Sequence, residues 1–231
     1  MSTQVPPRTE QSGSDIAPRT SSRSIWSASA QIAWRVALAA SVGGFLLGFL
    51  DFVWIKFMPF PLRGLGNSSA VWAVAAFLFA YLIRRGWLAG TLGSAVFLVL
   101  AVPSYYLAAT LIQGDAPSAL WDLRWTAFGI LAGVVFGAAG TAARRPDRWQ
   151  IPALAAPAAV LIAEAALLAA RLGDPSYDTA ESLGQAVIEV GLGIVLVMLT
   201  RATWRRRVTA LVIAAPFAAL GFGAFQVAGF A

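Results

Sequence analysis

Three carboxylates lie inside long apolar runs of this sequence, and these are the residues best placed to do chemistry. They are Asp51, Glu164 and Glu189. A charged side chain at the centre of a bilayer costs about 2.5 kcal/mol or more, so each is expected to face a bundle interior, a cavity or a partner. We interpret all three as candidate proton donors or acceptors, the chemistry that carboxyl groups supply in catalysis and in proton relays.

Other polar and aromatic residues recur at helical spacing near these acids. Glu181, Gln185 and Glu189 follow one another at intervals of four residues, which places them on one helix face. The candidate ligand-binding residues at a similar depth are Asn67, Trp72, Tyr105, Tyr106, Asp122, Arg124, Trp125 and Gln185. Together they predict an outward-opening acidic and aromatic pocket within the bundle.

A purely structural role for the same residues is the alternative. Asp51 would then pair with Arg124 or reach toward its helix end, and Glu164 would bond to a neighbouring helix. Trp125 equally fits an aromatic belt at the membrane interface. The GxxxG spacing of Gly129, Gly133 and Gly137 predicts close helix packing.

The residue inventory excludes several chemistries. The chain has no cysteine and no histidine, which excludes disulfides, thiolate nucleophiles, Cys/His zinc sites, histidine-ligated haem and imidazole acid–base catalysis. It also has no nucleotide-binding loop of the GxxxxGK[ST] type and no aspartate-rich diphosphate motif. No cofactor is therefore expected and no metal site is assigned, while a carboxylate-bound Mg²⁺ stays open because hard cations accept oxygen ligands.

The elements that position these residues follow from composition. Of 231 residues, 58% are hydrophobic and 12% charged, and the apolar residues come in long runs typical of membrane spans. We predict an all-α integral membrane bundle of seven transmembrane helices. The predicted spans are residues 36–55, 69–83, 87–112, 125–143, 151–170, 183–200 and 208–230.

The distribution of basic residues predicts orientation. With the N-terminus in the cytoplasm, 13 of the 17 basic residues lie on the inner side and four on the outer side. This is a strong positive-inside bias, and it places the C-terminus on the extracytoplasmic side. The net charge of +6 therefore reflects topology, and nucleic-acid binding is not expected. We expect a multi-pass protein of a bacterial inner or plasma membrane.

The chain divides into three parts. Residues 1–24 are rich in Ser, Thr, Pro and Arg, and we expect a disordered cytoplasmic tail. Residues 25–35 predict an amphipathic interfacial segment, with Trp26 and Trp34 near the membrane surface. Residues 36–231 form the seven-helix transmembrane domain.

Several short motifs carry a resemblance to a known family. They are LGNSSAVWAVAAF at 65–77, SYY at 104–106, FGAAG at 136–140, AE at 163–164 and AVIEVGL at 186–192. The chain from about Val36 onward resembles a family of small polytopic bacterial membrane proteins carried as a domain of unknown function. The resemblance implies a bundle of about seven helices. Its polar motifs match Asn67, Trp72, Tyr105, Tyr106, Glu164 and Glu189.

Three functions fit these expectations. The first is binding or transport of a small molecule, with proton coupling through the acids, since no energising domain is seen. The second is a membrane-embedded, proton-initiated cyclase or isomerase of an isoprenoid, in which aromatic walls stabilise a carbocation. The third is a structural or assembly role. The expected partners are the bilayer and a small-molecule ligand, while a protein partner or homo-oligomer, and whether the protein is an enzyme, stay open.

Overall fold

The computed structural model describes residues 22–116 and 122–229, with side chains from Ala30 onward. Every regular element in these ranges is helical, so the predicted all-α fold class is confirmed. The helices are α1 (Ser22–Phe57), η1, a 3₁₀ helix (Leu62–Asn67), α2 (Ser69–Ile83), α3 (Trp87–Gln113), α4 (Leu123–Ala142), α5 (Gln150–Ala170), α6 (Thr179–Leu199) and α7 (Trp204–Val227). Most of the predicted tail, residues 1–21, lies outside the described residues.

Six of the described helices are long and apolar enough to cross a membrane. They are α1 from Ala30 to Phe57, α3, α4, α5, α6 and α7. Helix α2 is apolar but has only 15 residues, about 22 Å of helix against a hydrocarbon core of about 30 Å. The chain is therefore a multi-pass membrane protein, in which α2 differs from the other helices in length.

The short helix α2 lies between two groups of longer helices. On one side α1 packs against α3, and α3 packs against α4; on the other side α5 packs against both α6 and α7. Helix α2 contacts α3 and α4 from the first group and α5 from the second. Residues near the start of α2 can therefore meet side chains from both groups.

Glycine permits the close approach of helices in the first group. A Cβ atom at Gly48 would overlap the carbonyl oxygen of Ala101, and one at Gly133 would lie 2.7 Å from the carbonyl oxygen of Ser94. At both positions a Cβ atom would lie too close to backbone atoms of α3 for a side chain to fit. The predicted packing role of the α4 glycines is thus seen at Gly133, which rests on the backbone of α3.

Capping residues explain where the helix ends differ from the predicted spans. Helix α6 begins at Thr179, four residues before the predicted start, because the Asp178 side chain accepts a hydrogen bond from Glu181 N at 2.7 Å. Asp122 caps α4 in the same way through Trp125 N at 3.1 Å. The predicted interfacial segment 25–35 is continuous with α1, and Trp34 in it is exposed.

Candidate functional site

Glu164 from α5 binds the N-terminal end of α2. Its Oε2 accepts hydrogen bonds from the Ser68 hydroxyl at 2.6 Å and from Ala70 N at 2.8 Å, and its Oε1 accepts one from Ser69 N at 3.1 Å. The first N–H groups of a helix have no partner within the helix and carry the positive end of its dipole. A buried carboxylate at this position is thus satisfied by the helix end it contacts.

Ser68 is the N-cap residue of α2 and lies between α2 and Glu164. Its oxygen accepts a hydrogen bond from Val71 N at 3.1 Å while its single hydroxyl hydrogen is directed to Glu164. Ser68 is almost completely buried, with 1% of its surface exposed. The hydroxyl therefore has no second hydrogen to offer another acceptor.

Glu189 from α6 is the second carboxyl at this point and is fully buried, with 0% of its surface exposed. Its Oε1 accepts a hydrogen bond from Gln185 Nε2 at 2.8 Å. Its Oε2 makes no hydrogen bond of acceptable geometry within the described residues, although the Ser68 hydroxyl, whose hydrogen is directed to Glu164, lies near this carboxyl. The carboxyl groups of Glu164 and Glu189 lie close enough for electrostatic repulsion between their anions.

The 3₁₀ helix η1 covers this pair at the end of the bundle where α2 and α6 begin. A Cβ atom at Gly64 would overlap the side-chain amide of Gln185, so η1 rests directly on that residue. Beyond Gln185, Arg63 forms an ion pair with Glu181 at 2.9 Å. The predicted stripe of Glu181, Gln185 and Glu189 thus leads from an exposed ion pair to a buried carboxyl.

Asp51 forms a separate cluster on the other side of α2. Its Oδ2 accepts a hydrogen bond from Trp72 Nε1 at 2.8 Å, and it is buried. Tyr105 packs edge-on against both Trp72 and Phe52, with ring centroids 6.2 Å and 5.3 Å away. The alternative in which Asp51 pairs with Arg124 is therefore not the arrangement found.

The remaining predicted site residues lie at the periphery. Tyr106 packs on Tyr105, and its hydroxyl lies 3.4 Å from Asp122 Oδ2. Arg124 donates to the carbonyl of Ala228, near the end of α7. Exposed positions are occupied by Trp125 at the start of α4 and by Asn67 at the end of η1. None of these has a described contact with Glu164 or Glu189.

The structure thus brings together Glu164 and Glu189, which we call the glutamate pair, and Gln185 bonds to this pair. It places Asp51, Trp72 and Tyr105 in a second cluster. Sequence reasoning did not include Ser68 or Arg63 among the site residues. The signal for Ser68 was its position, since a serine directly before an apolar run is a typical helix N-cap. No comparable signal marks Arg63, whose partner is 118 residues away.

The chemistry open to the glutamate pair is proton binding. Both Glu164 oxygens are occupied by N–H and O–H donors, which leaves them poorly suited to a cation. In the described part of the chain no group of three or more acidic residues is arranged to hold a metal ion. A proton on Glu189 Oε2 would instead give that atom a hydrogen to donate.

An open groove of ≈ 430 Å³ runs along the seam between α5 and α6. It is lined by apolar residues, namely Ile162, Ala165, Ala166, Ala186, Val187 and Val190. Neither Glu164 nor Glu189 lines it, although each is adjacent in sequence to a lining residue. Glu189 is fully buried and Glu164 nearly so, which means that packed protein encloses the glutamate pair in this conformation.

Comparison with known proteins identifies the family. The chain belongs to a family of unknown function, DUF6518, whose model matches residues 27–229. This confirms the resemblance inferred from the short polar motifs. No curated protein and no solved structure matches the chain. The site geometry is therefore the basis on which a function can be proposed.

Proposed function

We propose that this family member crosses the membrane seven times, with its N-terminus in the cytoplasm and its C-terminus outside. The positive-inside bias of 13 basic residues against four supports this orientation. Glu164 lies six residues, or about 9 Å, before the end of α5. Because the N-cap residue of α2 bonds to Glu164, α2 begins at about the same depth inside that end of the bundle. In this topology α2 is a short crossing that η1 precedes on the outer side.

The function that this geometry supports best is binding and transport of a small molecule coupled to a proton on Glu189. One observation carries the proposal: a fully buried carboxyl in the middle of a membrane helix with one oxygen unpartnered. Such groups are rare because they are costly, and they commonly mark ion or substrate pathways. Glu189 would take up a proton from the outer side and release it to the inner side.

The position of the glutamate pair favours transport over simple binding. Coupling sites in many transporters lie near the middle of the bilayer, where a helix begins or breaks inside the membrane. Here α2 begins beside Glu164 and Glu189, and η1 closes the route from outside through Gly64 and Arg63. Separation of η1 from α6 would open that route to Gln185 and Glu189.

The test is mass spectrometry of organic extracts from wild-type protein and two variants purified identically. Glu189→Gln removes the proposed proton site, while Asp174→Asn removes an exposed carboxylate in the loop before the same helix. We expect a small molecule in extracts of the wild type and of Asp174→Asn, and its loss from folded Glu189→Gln. Extracts that all match an empty-vector preparation would contradict a stably bound ligand.

Transport itself requires reconstitution. The molecule found in the extract would be added to liposomes that contain the protein and a trapped pH-sensitive dye. We expect wild-type protein to acidify or alkalinise the lumen when the molecule is added, and Glu189→Gln to abolish this response. A molecule that binds without moving protons would leave the binding proposal intact and exclude coupling.

The second candidate is a proton-initiated isoprenoid cyclase or isomerase, which the Asp51 cluster favours. An acid beside Trp72, Phe52 and Tyr105 combines a proton source with aromatic faces that stabilise a carbocation. Conversion of a polyprenyl substrate to an isomer of equal mass by the wild type, and its loss in Asp51→Asn, would support this function. Glu189→Gln should leave that conversion unchanged, which separates the two proposals.

A further inference from the structure

The end of the bundle where α3, α5 and α7 begin is rich in arginine. We call it the basic end. Its arginines are Arg84, Arg85, Arg144, Arg145, Arg148, Arg201, Arg205, Arg206 and Arg207, and the nearby loops carry a single acid, Asp147. The salt bridge found within residues 22–116 and 122–229 joins Arg63 and Glu181 at the opposite end. The positive charge of the basic end is therefore not neutralised by the described chain.

Loops that carry these arginines meet near Tyr81, at the end of α2. The Tyr81 hydroxyl accepts a hydrogen bond from the backbone N–H of Arg201 at 3.1 Å, and the Arg144 guanidinium lies near Tyr81. Arg144 donates to the carbonyl of Arg85 at 3.1 Å and lies near Arg84. Loops that are far apart in sequence thus bring their positive charges to one surface.

Burial and like charge act together on Arg144. Partial burial, followed by the nearby charges of Arg84 and Arg145, lowers the pKa of its guanidinium. The Nε atom of Arg144 is also buried without a hydrogen-bond partner among the described residues, as is that of Arg207. An anion at this surface would relieve the repulsion.

The helix ends add to the positive potential. At the opposite end, α2, α4 and α6 each begin with a side-chain cap, from Ser68, Asp122 and Asp178. At the basic end, α3, α5 and α7 have no side-chain cap and no acidic residue in their first turns; Asp147, just before α5, accepts a hydrogen bond from Trp149 N at 2.9 Å. The positive ends of three helix dipoles therefore reinforce the arginines.

Apolar side chains flank this charged surface. They belong to the last turns of α2 and α6 and to the first turns of α3 and α7, and each has at least 43% of its surface exposed: Leu82, Trp87, Leu88, Leu199 and Trp204. Arginines bordered by exposed apolar groups match a ligand that has an anionic head and hydrocarbon tails. A free inorganic anion would use only the charged part.

We propose that the basic end binds the phosphate of an anionic phospholipid through Arg84, Arg144 and Arg201 around Tyr81, with the acyl chains against the flanking apolar residues. Positive-inside topology accounts for the number of arginines on this side. It does not account for the meeting of three separate loops, which carry Arg84, Arg144 and Arg201, at the end of α2. The inference requires only that the bundle lies in a bilayer, and it is independent of the proposed transport.

The test uses full-length delipidated protein in detergent and measures thermal stabilisation by short-chain phosphatidylglycerol, short-chain phosphatidylcholine and inorganic phosphate. Of these three additives, we expect only phosphatidylglycerol to stabilise the wild type. Arg144→Gln/Arg201→Gln should weaken its binding by at least about tenfold, given about fivefold per arginine. The control Lys56→Gln/Arg124→Gln removes the same charge at the opposite end and should change binding less than about twofold.

Equal stabilisation by phosphatidylcholine, equal stabilisation by inorganic phosphate, or equal weakening in the control would overturn the proposal. If the double variant does not fold, the single variant Arg84→Gln, at an exposed position, is measured in its place. It should weaken phosphatidylglycerol binding by about fivefold, and an unchanged affinity would reject the site.

Discussion

The hydroxyl of Ser68 lies 2.6 Å from Oε2 of Glu164, although 96 residues separate the two in sequence. With the two backbone donors of Ser69 and Ala70, this contact makes α5 the source of the cap for α2. A carboxylate that would be costly in hydrocarbon is therefore stabilised by N–H groups that would also be costly to bury alone. The same contact brings Glu164 beside Glu189.

Glu164→Gln should destabilise the protein by about 1–3 kcal/mol, because an amide has only one oxygen to accept the donors that now reach both carboxylate oxygens. The NH₂ group of the new glutamine would face one of these N–H or O–H donors, with which it cannot form a hydrogen bond. Glu181→Gln is the control, since it removes an exposed ion pair worth at most about 1 kcal/mol. Unfolding in mixed detergent micelles measures both. Equal effects would contradict the capping role of Glu164.

Glu189→Gln should change stability by less than about 0.5 kcal/mol. The new amide oxygen keeps the bond from Gln185, and the new NH₂ group occupies the site of the unpartnered Oε2. The same unfolding measurement applies. A loss as large as that for Glu164→Gln would show that Glu189 is a structural acceptor, and it would count against its role as a proton site.

The bond between Trp72 and Asp51 should give a coupling energy of about 0.6–1.7 kcal/mol, the range of interhelical hydrogen bonds in membranes. A double-mutant cycle of Trp72→Phe and Asp51→Ala measures it, because alanine has no oxygen to accept the bond. Trp72→Phe alone should be the more damaging change, because it leaves a buried carboxylate without its donor. Strict additivity of the two single changes would show that the contact contributes nothing to stability.

Gly48→Ala should destabilise the bundle by at least about 1–3 kcal/mol, because the added Cβ overlaps the carbonyl of Ala101 and forces α1 away from α3. Gly191→Ala is the matched control in α6, where nothing lies within 4 Å of the added atom. We expect it to be neutral or stabilising by up to about 1 kcal/mol. If both variants behaved alike, close approach at Gly48 would not be the cause.

The proposed topology can be checked by cysteine labelling, because the chain has no native cysteine. Ser176→Cys lies in the loop before α6, and Gly86→Cys lies before α3, where a side chain meets nothing within 4 Å. We expect a membrane-impermeant maleimide to label Ser176→Cys in intact cells and Gly86→Cys only after lysis. The reverse pattern would invert the orientation, and labelling of both in intact cells would reject seven spans.

Much of the fold was predictable because long apolar runs reveal membrane helices directly. The α2 bounds were predicted as they are found, and most other ends differ by a few residues. The start of α6 was missed because it is set by the N-cap residue Asp178, a polar residue that lies before the apolar run. The length of a span and the start of its helix are set by different residues.

The candidate site was predictable only where helical spacing determines a contact. Gln185 and Glu189 are four residues apart, and they bond as the periodicity implies. The partners of Glu164 and Asp51 depend on how α5 and α1 pack around α2, and no local pattern encodes that packing. Arg124 lies apart from the acids for the same reason, since the start of α4 meets the end of α7.

The long sequence separation between Glu164 and the start of α2 also bears on biogenesis. Ala70 precedes Glu164 by 94 residues, which a ribosome adds in about 5–20 s at ordinary rates. Throughout that interval α2 has been synthesised but the carboxylate that binds its first turn has not. The first N–H groups of α2 lack this partner for that interval, and we expect α2 to stay within reach of water or the translocon until α5 is made.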